Sequence, residues 1–290
     1  MTLTAVAPAP AQPTASTLPD AEALLQRLCA LTDCSRAEAF ICFSARHAHG
    51  VRSVTVDRPC LTLVLQGRKE VRSGASAHSL GAGELLLVRR PCQLDASNTP
   101  DAATSRYLSL GISLCDEVLD AARLLWARPV ALGGDDIVCC TLDACHGALG
   151  RWCAAIQAGQ PEQARLALTE LLLDLCRAGH AALLAPLPPR LSAQLRAIVA
   201  ADPGRDWQSR DFEDALGLSG ATLRRRLQAE NSSVRTVITH ARLASALELL
   251  YSTRWPVKTV AAKVGYRSVE SFTRRFSERY GLAPTHIGNA

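Results

Sequence analysis

Leu218-Ser219-Gly220-Ala221-Thr222-Leu223-Arg224-Arg225-Arg226-Leu227 recurs 49 positions later as Arg267-Ser268-Val269-Glu270-Ser271-Phe272-Thr273-Arg274-Arg275-Phe276. A serine, a hydroxyl residue, two large apolar residues and two arginines stay in register. Just upstream, Phe212-Glu213-Asp214-Ala215-Leu216-Gly217-Leu218 matches Val260-Ala261-Ala262-Lys263-Val264-Gly265-Tyr266 at an offset of 48, so the second turn is one residue longer. Each copy reads as a short apolar helix, a glycine turn, a serine placed to cap the next helix, and then an arginine-rich amphipathic helix. That is a helix-turn-helix, predicted over residues 209–229 and again over 257–280. Two copies on one chain point to a protein that reads two neighbouring stretches of double-stranded DNA.

Between the copies, residues 233–251 are apolar almost all round (Val234, Val237, Ile238, Ala241, Leu243, Ala244, Leu247, Leu249, Leu250). A helix with this pattern must be covered on more than one side, which suits a strut between two flanking units. Its length of roughly 27 Å is comparable to the ~34 Å between successive major grooves on one face of B-DNA. Within each copy, Leu223 and Leu227, like Phe272 and Phe276, stand at i and i+4 and must face a core. The outward positions near the helix start are then Ala221, Arg224 and Arg225 in the first copy and Val269, Glu270, Thr273 and Arg274 in the second. Arginine can fork onto guanine, glutamate can accept from cytosine, and Ala, Val or the Thr methyl can pack on a thymine methyl, so these seven are the candidate base readers. Ser219 and Ser268 at the helix starts, and Lys258, are candidates for holding phosphates.

Charge follows the same division. Residues 190–290 hold 16 Lys/Arg against 9 Asp/Glu, a net +7, whereas residues 1–189 hold 16 against 18, a net −2. The basic excess lies where the repeat lies, as an approach to phosphates requires. The first half reads differently. Apolar runs of strand length at 61–65 and 84–88, a hairpin between 69–72 and 77–80, and a strand at 107–112 predict a small antiparallel barrel. Residues 115–126, 136–158 and 162–177 carry helical periodicity. The fold class expected is therefore α+β: residues 1–19 a flexible arm, 20–183 a β-barrel with following helices, 184–190 a proline-rich linker, and 191–290 an all-α domain.

The C-terminal hundred residues resemble the AraC/XylS family of bacterial transcription regulators. The resemblance rests on Trp207, Gly217-Leu218-Ser219 with Leu223 and Arg225, Arg242-Leu243 with Ala246 and Leu249-Leu250, Val264-Gly265-Tyr266 with Ser271-Phe272 and Phe276, then Tyr280-Gly281 and Pro284. Asp214-Ala215 and the ending Pro284-Thr285-His286-Ile287-Gly288 depart from the family pattern. More loosely, Leu63-Val64-Leu65-Gln66-Gly67 with residues 83–90 is similar to the cupin-like effector domain of the branch that controls virulence, stress and type III secretion genes. The resemblance implies an activator acting at promoter DNA with RNA polymerase. It also implies an N-terminal domain answering to a small-molecule effector or regulatory protein, and homodimerisation through the helices after the barrel.

The remaining signals are weaker. His47-Ala48-His49 has the spacing of metal-cupin ligands, but no carboxylate follows in residues 50–55, so no metal and no cofactor is expected. The rival reading that it supports is a cupin-type metalloenzyme with a helical assembly domain. No nucleophile elbow, phosphate loop or carboxylate pair favours an enzyme. Cys139, His146 and Cys153 lie seven apart and are expected to share one helix face as packing residues. All 11 cysteines precede residue 180 in an odd number, which with the lack of a basic leader or membrane-length apolar run leads to the expectation of a cytoplasmic protein.

Overall fold

The computed structural model describes residues 18–32, 40–130, 133–186 and 190–287. The chain opens with a helix, α1 (Leu18–Leu31), and then forms eight strands: β1 (Ile41–Ala45), β2 (His49–Val56), β3 (Cys60–Gln66), β4 (Arg68–Ser73), β5 (Ser76–Leu80), β6 (Glu84–Val88), β7 (Cys92–Thr99) and β8 (Tyr107–Ser113). Helix α2 (Asp116–Leu125) precedes a ninth strand, β9 (Ile137–Thr141), and α3 (His146–Gln157) and α4 (Pro161–Leu175) follow. The strands form two antiparallel sheets, ordered β1-β8-β3-β6-β9 and β2-β7-β4-β5. This is the antiparallel β-domain expected. Helices α1 to α4 cover the outer face of the five-stranded sheet, where Leu28, Leu63, Leu110, Trp152 and Leu172 share one core.

The expected helix over residues 136–158 is a correction. Ile137–Thr141 pairs with β6, Val88 opposite Ile137 and Leu86 opposite Cys139, and the helix proper begins only at His146. Without β9, strand β6 would present an unpaired edge, and an Ile-Val-Cys-Cys-Thr run suits a pleated surface better than a helix. Cys139 therefore does not share a helix face with His146 and Cys153. The expected arm meets α1 at Leu18; its residues 1–17 lie outside the described residues, as do 187–189 of the expected linker.

From residue 191 onward the fold is all helix: α5 (Leu191–Ala201), α6 (Ser209–Leu216), α7 (Gly220–Ala229), α8 (Val234–Ser252), α9 (Val257–Lys263) and α10 (Val269–Tyr280). The strut is α8, 19 residues and so about 28 Å long. Its first half gives Val237 and Ala241 to a core with Leu195, Phe212, Leu223 and Leu227. Its second half gives Leu243, Ala246, Leu247, Leu250 and Tyr251 to a different core with Val260, Phe272 and Phe276. That second core runs on into the β-domain through Ala45, Val64 and Val71. The first helix-turn-helix has a core of its own, whereas the second shares one with the sheets.

A polar chain crosses the same boundary. On β4 and β7, Lys69 and Asn98 are cross-strand partners whose side chains point inward. Lys69 Nζ donates to Asn98 Oδ1 (3.0 Å), and Asn98 Nδ2 donates to the Tyr251 hydroxyl (3.2 Å). His49 Nδ1 lies 3.0 Å from the His47 carbonyl, so it carries the proton, and Nε2 accepts from Tyr251 Oη at 2.6 Å. The Phe43 ring meets Tyr251 edge-on at 5.3 Å. His49 is thus committed to α8.

Candidate nucleic-acid interface

In the first unit a capping box starts α6: the Gln208 side chain bonds the backbone of Asp211, and Asp211 reaches back to the Gln208 N–H (2.7 Å). Gly217 ends α6 in the left-handed region (φ +62°) that turns the chain. Ser219 then caps α7 by accepting from the Thr222 N–H at 3.3 Å. In the second unit Ser268 caps α10 in the same way, accepting from the Ser271 N–H at 3.2 Å. The turn glycine precedes its cap serine by two residues in one unit and three in the other, the extra residue read from the repeat.

With Leu223, Leu227, Phe272 and Phe276 buried, the opposite faces are free. Ala221, Arg224, Arg225, Val269, Glu270 and Arg274 are exposed, and Thr273 is partly buried. Ser219, Ser268 and Lys258 are exposed as well, the two serines as caps and Lys258 on the first turn of α9. The candidates therefore form two groups, one at the start of α7 and one at the start of α10. Arg274 also lines a groove of about 360 Å³ with His240, Arg275, Glu278 and Arg279.

What sets the two groups against each other is Arg242 of α8, which sequence reading noticed only as a family match. Its guanidinium donates to the carbonyls of Pro203 (3.0 Å), Arg205 (2.8 Å) and Gly265 (3.4 Å). It thereby ties the strut to the segment before α6 and to the turn before α10. Gly265 (φ +81°) has no alternative here: a Cβ would stand 2.9 Å from the Arg242 guanidinium carbon. The ending that departed from the family pattern also packs, because Pro284 begins a short 3-10 turn and Ile287 is buried in the second core.

The β-domain grips this helical half at three further points that sequence reading missed. Arg196 of α5 forks onto Asp57, Nε to Oδ2 at 2.6 Å and Nη2 to Oδ1 at 2.5 Å. Arg279 of α10 donates to Thr55 Oγ1 at 2.7 Å, and the Ser44 hydroxyl donates to the Tyr251 carbonyl at 3.4 Å. The charges of both arginines act on His240 of α8. Burial, with the Arg279 and Arg196 charges behind it, lowers its pKa to about 4.

Residues 213–290 match a family described as a helix-turn-helix domain. The transcriptional activator CfaD of Escherichia coli is 28% identical over 93 residues, 32% of this chain and 35% of that protein. The virulence regulon transcriptional activator VirF of Shigella flexneri is 30% identical over 93 residues, 32% of this chain and 36% of VirF. The C-terminal domain is an AraC-type helix-turn-helix domain. These matches span about a third of each relative's length. The fold extends further. A substituted apo form of ToxT from Vibrio cholerae superposes with a TM-score of 0.60, covering 87% of this chain and 97% of that one at 13% identity. Wild-type ToxT with an unsaturated fatty acid bound does so with 0.58, covering 88% and 99% at 13% identity. The β-domain and the AraC-type domain are thus joined in a known two-domain fold.

His240 and His49 both have pKa values lowered by burial, so the folded state favours their neutral forms. Their contribution to stability is complete above about pH 6.5, the ordinary histidine value, and declines as pH falls below it, for His240 down to about 4. Urea unfolding at pH 7.5, 6 and 5 should give a falling midpoint. A His240→Gln variant should fall less steeply, and equal slopes for parent and variant would contradict this account of His240.

Proposed function

We propose that this protein is a sequence-specific DNA-binding transcription regulator, an activator, whose two reading helices contact two half-sites of different sequence. The observation that carries the reading is the pair of serine-capped helices with exposed arginines, held on one strut by Arg242. The basic excess of residues 190–290 and the activators among the relatives support it. In this reading Ala221, Arg224 and Arg225 meet bases of one half-site, and Val269, Glu270, Thr273 and Arg274 those of the other. Ser219, Ser268 and Lys258 hold phosphates. The metalloenzyme alternative draws nothing from His49, whose two ring nitrogens are engaged by His47 and Tyr251.

Selection from a random-sequence DNA library with the full chain should enrich a two-part site. Against that site, Arg225→Ala and Arg274→Ala should each cost about 1–3 kcal/mol and relax the preference at one half-site only. Unchanged affinity of both variants would remove these residues as readers.

In this reading the β-domain is the control element, and its ligand is an acidic small molecule. Lys69 is 8% exposed inside the sheets, and burial lowers its pKa to about 8, which leaves it mostly charged at neutral pH. The hydroxyls of Tyr107 and Ser109 nearby are buried and interact with each other. The Lys69 ammonium lies 5.7 Å from the centre of the Tyr107 ring. The fatty acid bound to ToxT is an acid of this kind. Lys69 also begins the chain through Asn98 to Tyr251, so occupancy there would reach α8 directly. Oleate should change the DNA affinity of the parent and leave that of Lys69→Met unaltered; a parent indifferent to oleate would count against a fatty acid as the effector.

A further inference from the structure

Between the two helix-turn-helix units lies a cleft of about 420 Å³. The start of α6 forms one wall, with Gln208 and Ser209, α8 forms the floor, and Ser271 and Arg275 of α10 form the other wall. Three arginines line it and no carboxylate does, in a chain with 27 Asp and Glu. Arg242, one of the three, commits its donors to internal carbonyls. The other two, Arg235 on the first turn of α8 and Arg275 on α10, form no ion pair among the described residues. A cationic cleft without acids attracts a polyanion, and its place between the reading helices says which part of one. If α7 and α10 occupy successive major grooves, the cleft faces the sugar-phosphate backbone that crosses between them.

We propose that Arg235 and Arg275 clamp the DNA phosphates between the two half-sites, adding affinity without reading sequence. The inference rests on the DNA-binding reading above and deepens it. Arg235 stands on the helix that separates the readers, and Arg275 on the reading helix of the second unit. The clamp therefore fits only DNA whose half-sites have the spacing that α8 sets. Arg275 stands next to the candidate reader Arg274 and one position off its face, so the two neighbours divide the work between backbone and base.

The test uses the full chain and the DNA site selected from the random library, with affinity measured by fluorescence anisotropy at a series of salt concentrations. Each phosphate contact contributes about 0.9 to the slope of log K against log salt. Arg235→Gln and Arg275→Gln should each lower that slope by about one, and the double variant by about two, with the base preference at both half-sites unaltered. Neutral methylphosphonates placed between the half-sites should weaken binding by the parent and leave the double variant almost unaffected. An unchanged slope in the variants would overturn the clamp, as would a methylphosphonate penalty as large in the double variant as in the parent. A changed base preference would also overturn it, by making these arginines readers. Circular dichroism melting of the variants at the parent's temperature separates a lost contact from a lost fold. A parent that selects no sequence at all would defeat the DNA-binding reading itself. A parent that binds with variants of unchanged slope would defeat the clamp alone.

Discussion

One helix cannot be covered by one partner here, and that constraint organises the molecule. Helix α8 is apolar nearly all round, and any side left open would hold apolar surface in water at a cost. Val237 and Ala241 are covered by the first helix-turn-helix, Leu243 and Leu247 by the second, and Tyr251 by the β-domain. Because the helix rises a fixed ~1.5 Å per residue, the distance between the two units is set by covalent geometry and hydrogen bonds rather than by a flexible linker. Arg242 then sets their rotation by joining three carbonyls that belong to both.

The β-domain enters this arrangement asymmetrically. It shares an apolar core with the second unit and touches the first half through the Arg196–Asp57 pair. The polar atoms in the shared core form one directed chain, from Lys69 through Asn98 and Tyr251 to His49. Buried polar groups are costly when left without partners, so such a chain favours one docked pose over neighbouring ones. A change at Lys69 therefore has a short physical path to the helix that spaces the two helix-turn-helix units. The second unit, whose arginine Arg279 also bonds Thr55, is the one the β-domain packs against.

The helical half was legible in the sequence because its information is local. Cap serines, turn glycines and apolar residues at i and i+4 lie within a dozen positions of one another, and α6 with α7 and α9 with α10 fill the predicted spans 209–229 and 257–280. The β-half was legible in part. Strands with continuous apolar runs, β3 and β6, stood out, but β2 and β7 are built from small polar residues whose alternation is muted, and β9 carries its identity in pairing with β6. The contacts that join the halves were not legible at all. Tyr251 and His49 are 202 positions apart, Arg196 and Asp57 139, and no local pattern announces such a meeting. The candidate readers were found by subtraction, as the outward residues once the core positions were assigned; six of the seven are exposed and Thr273 is partly buried.

The central claim is that a single chain presents two unlike readers at a distance set by α8. Hydroxyl-radical footprinting of the full chain on its selected DNA measures this most directly. The account predicts two protected stretches on one face of the duplex, their centres about one helical turn (roughly 10–11 base pairs) apart. Inserting five base pairs between them, about half a turn, should abolish joint protection. A single protected stretch, or two that tolerate the insertion, would contradict it.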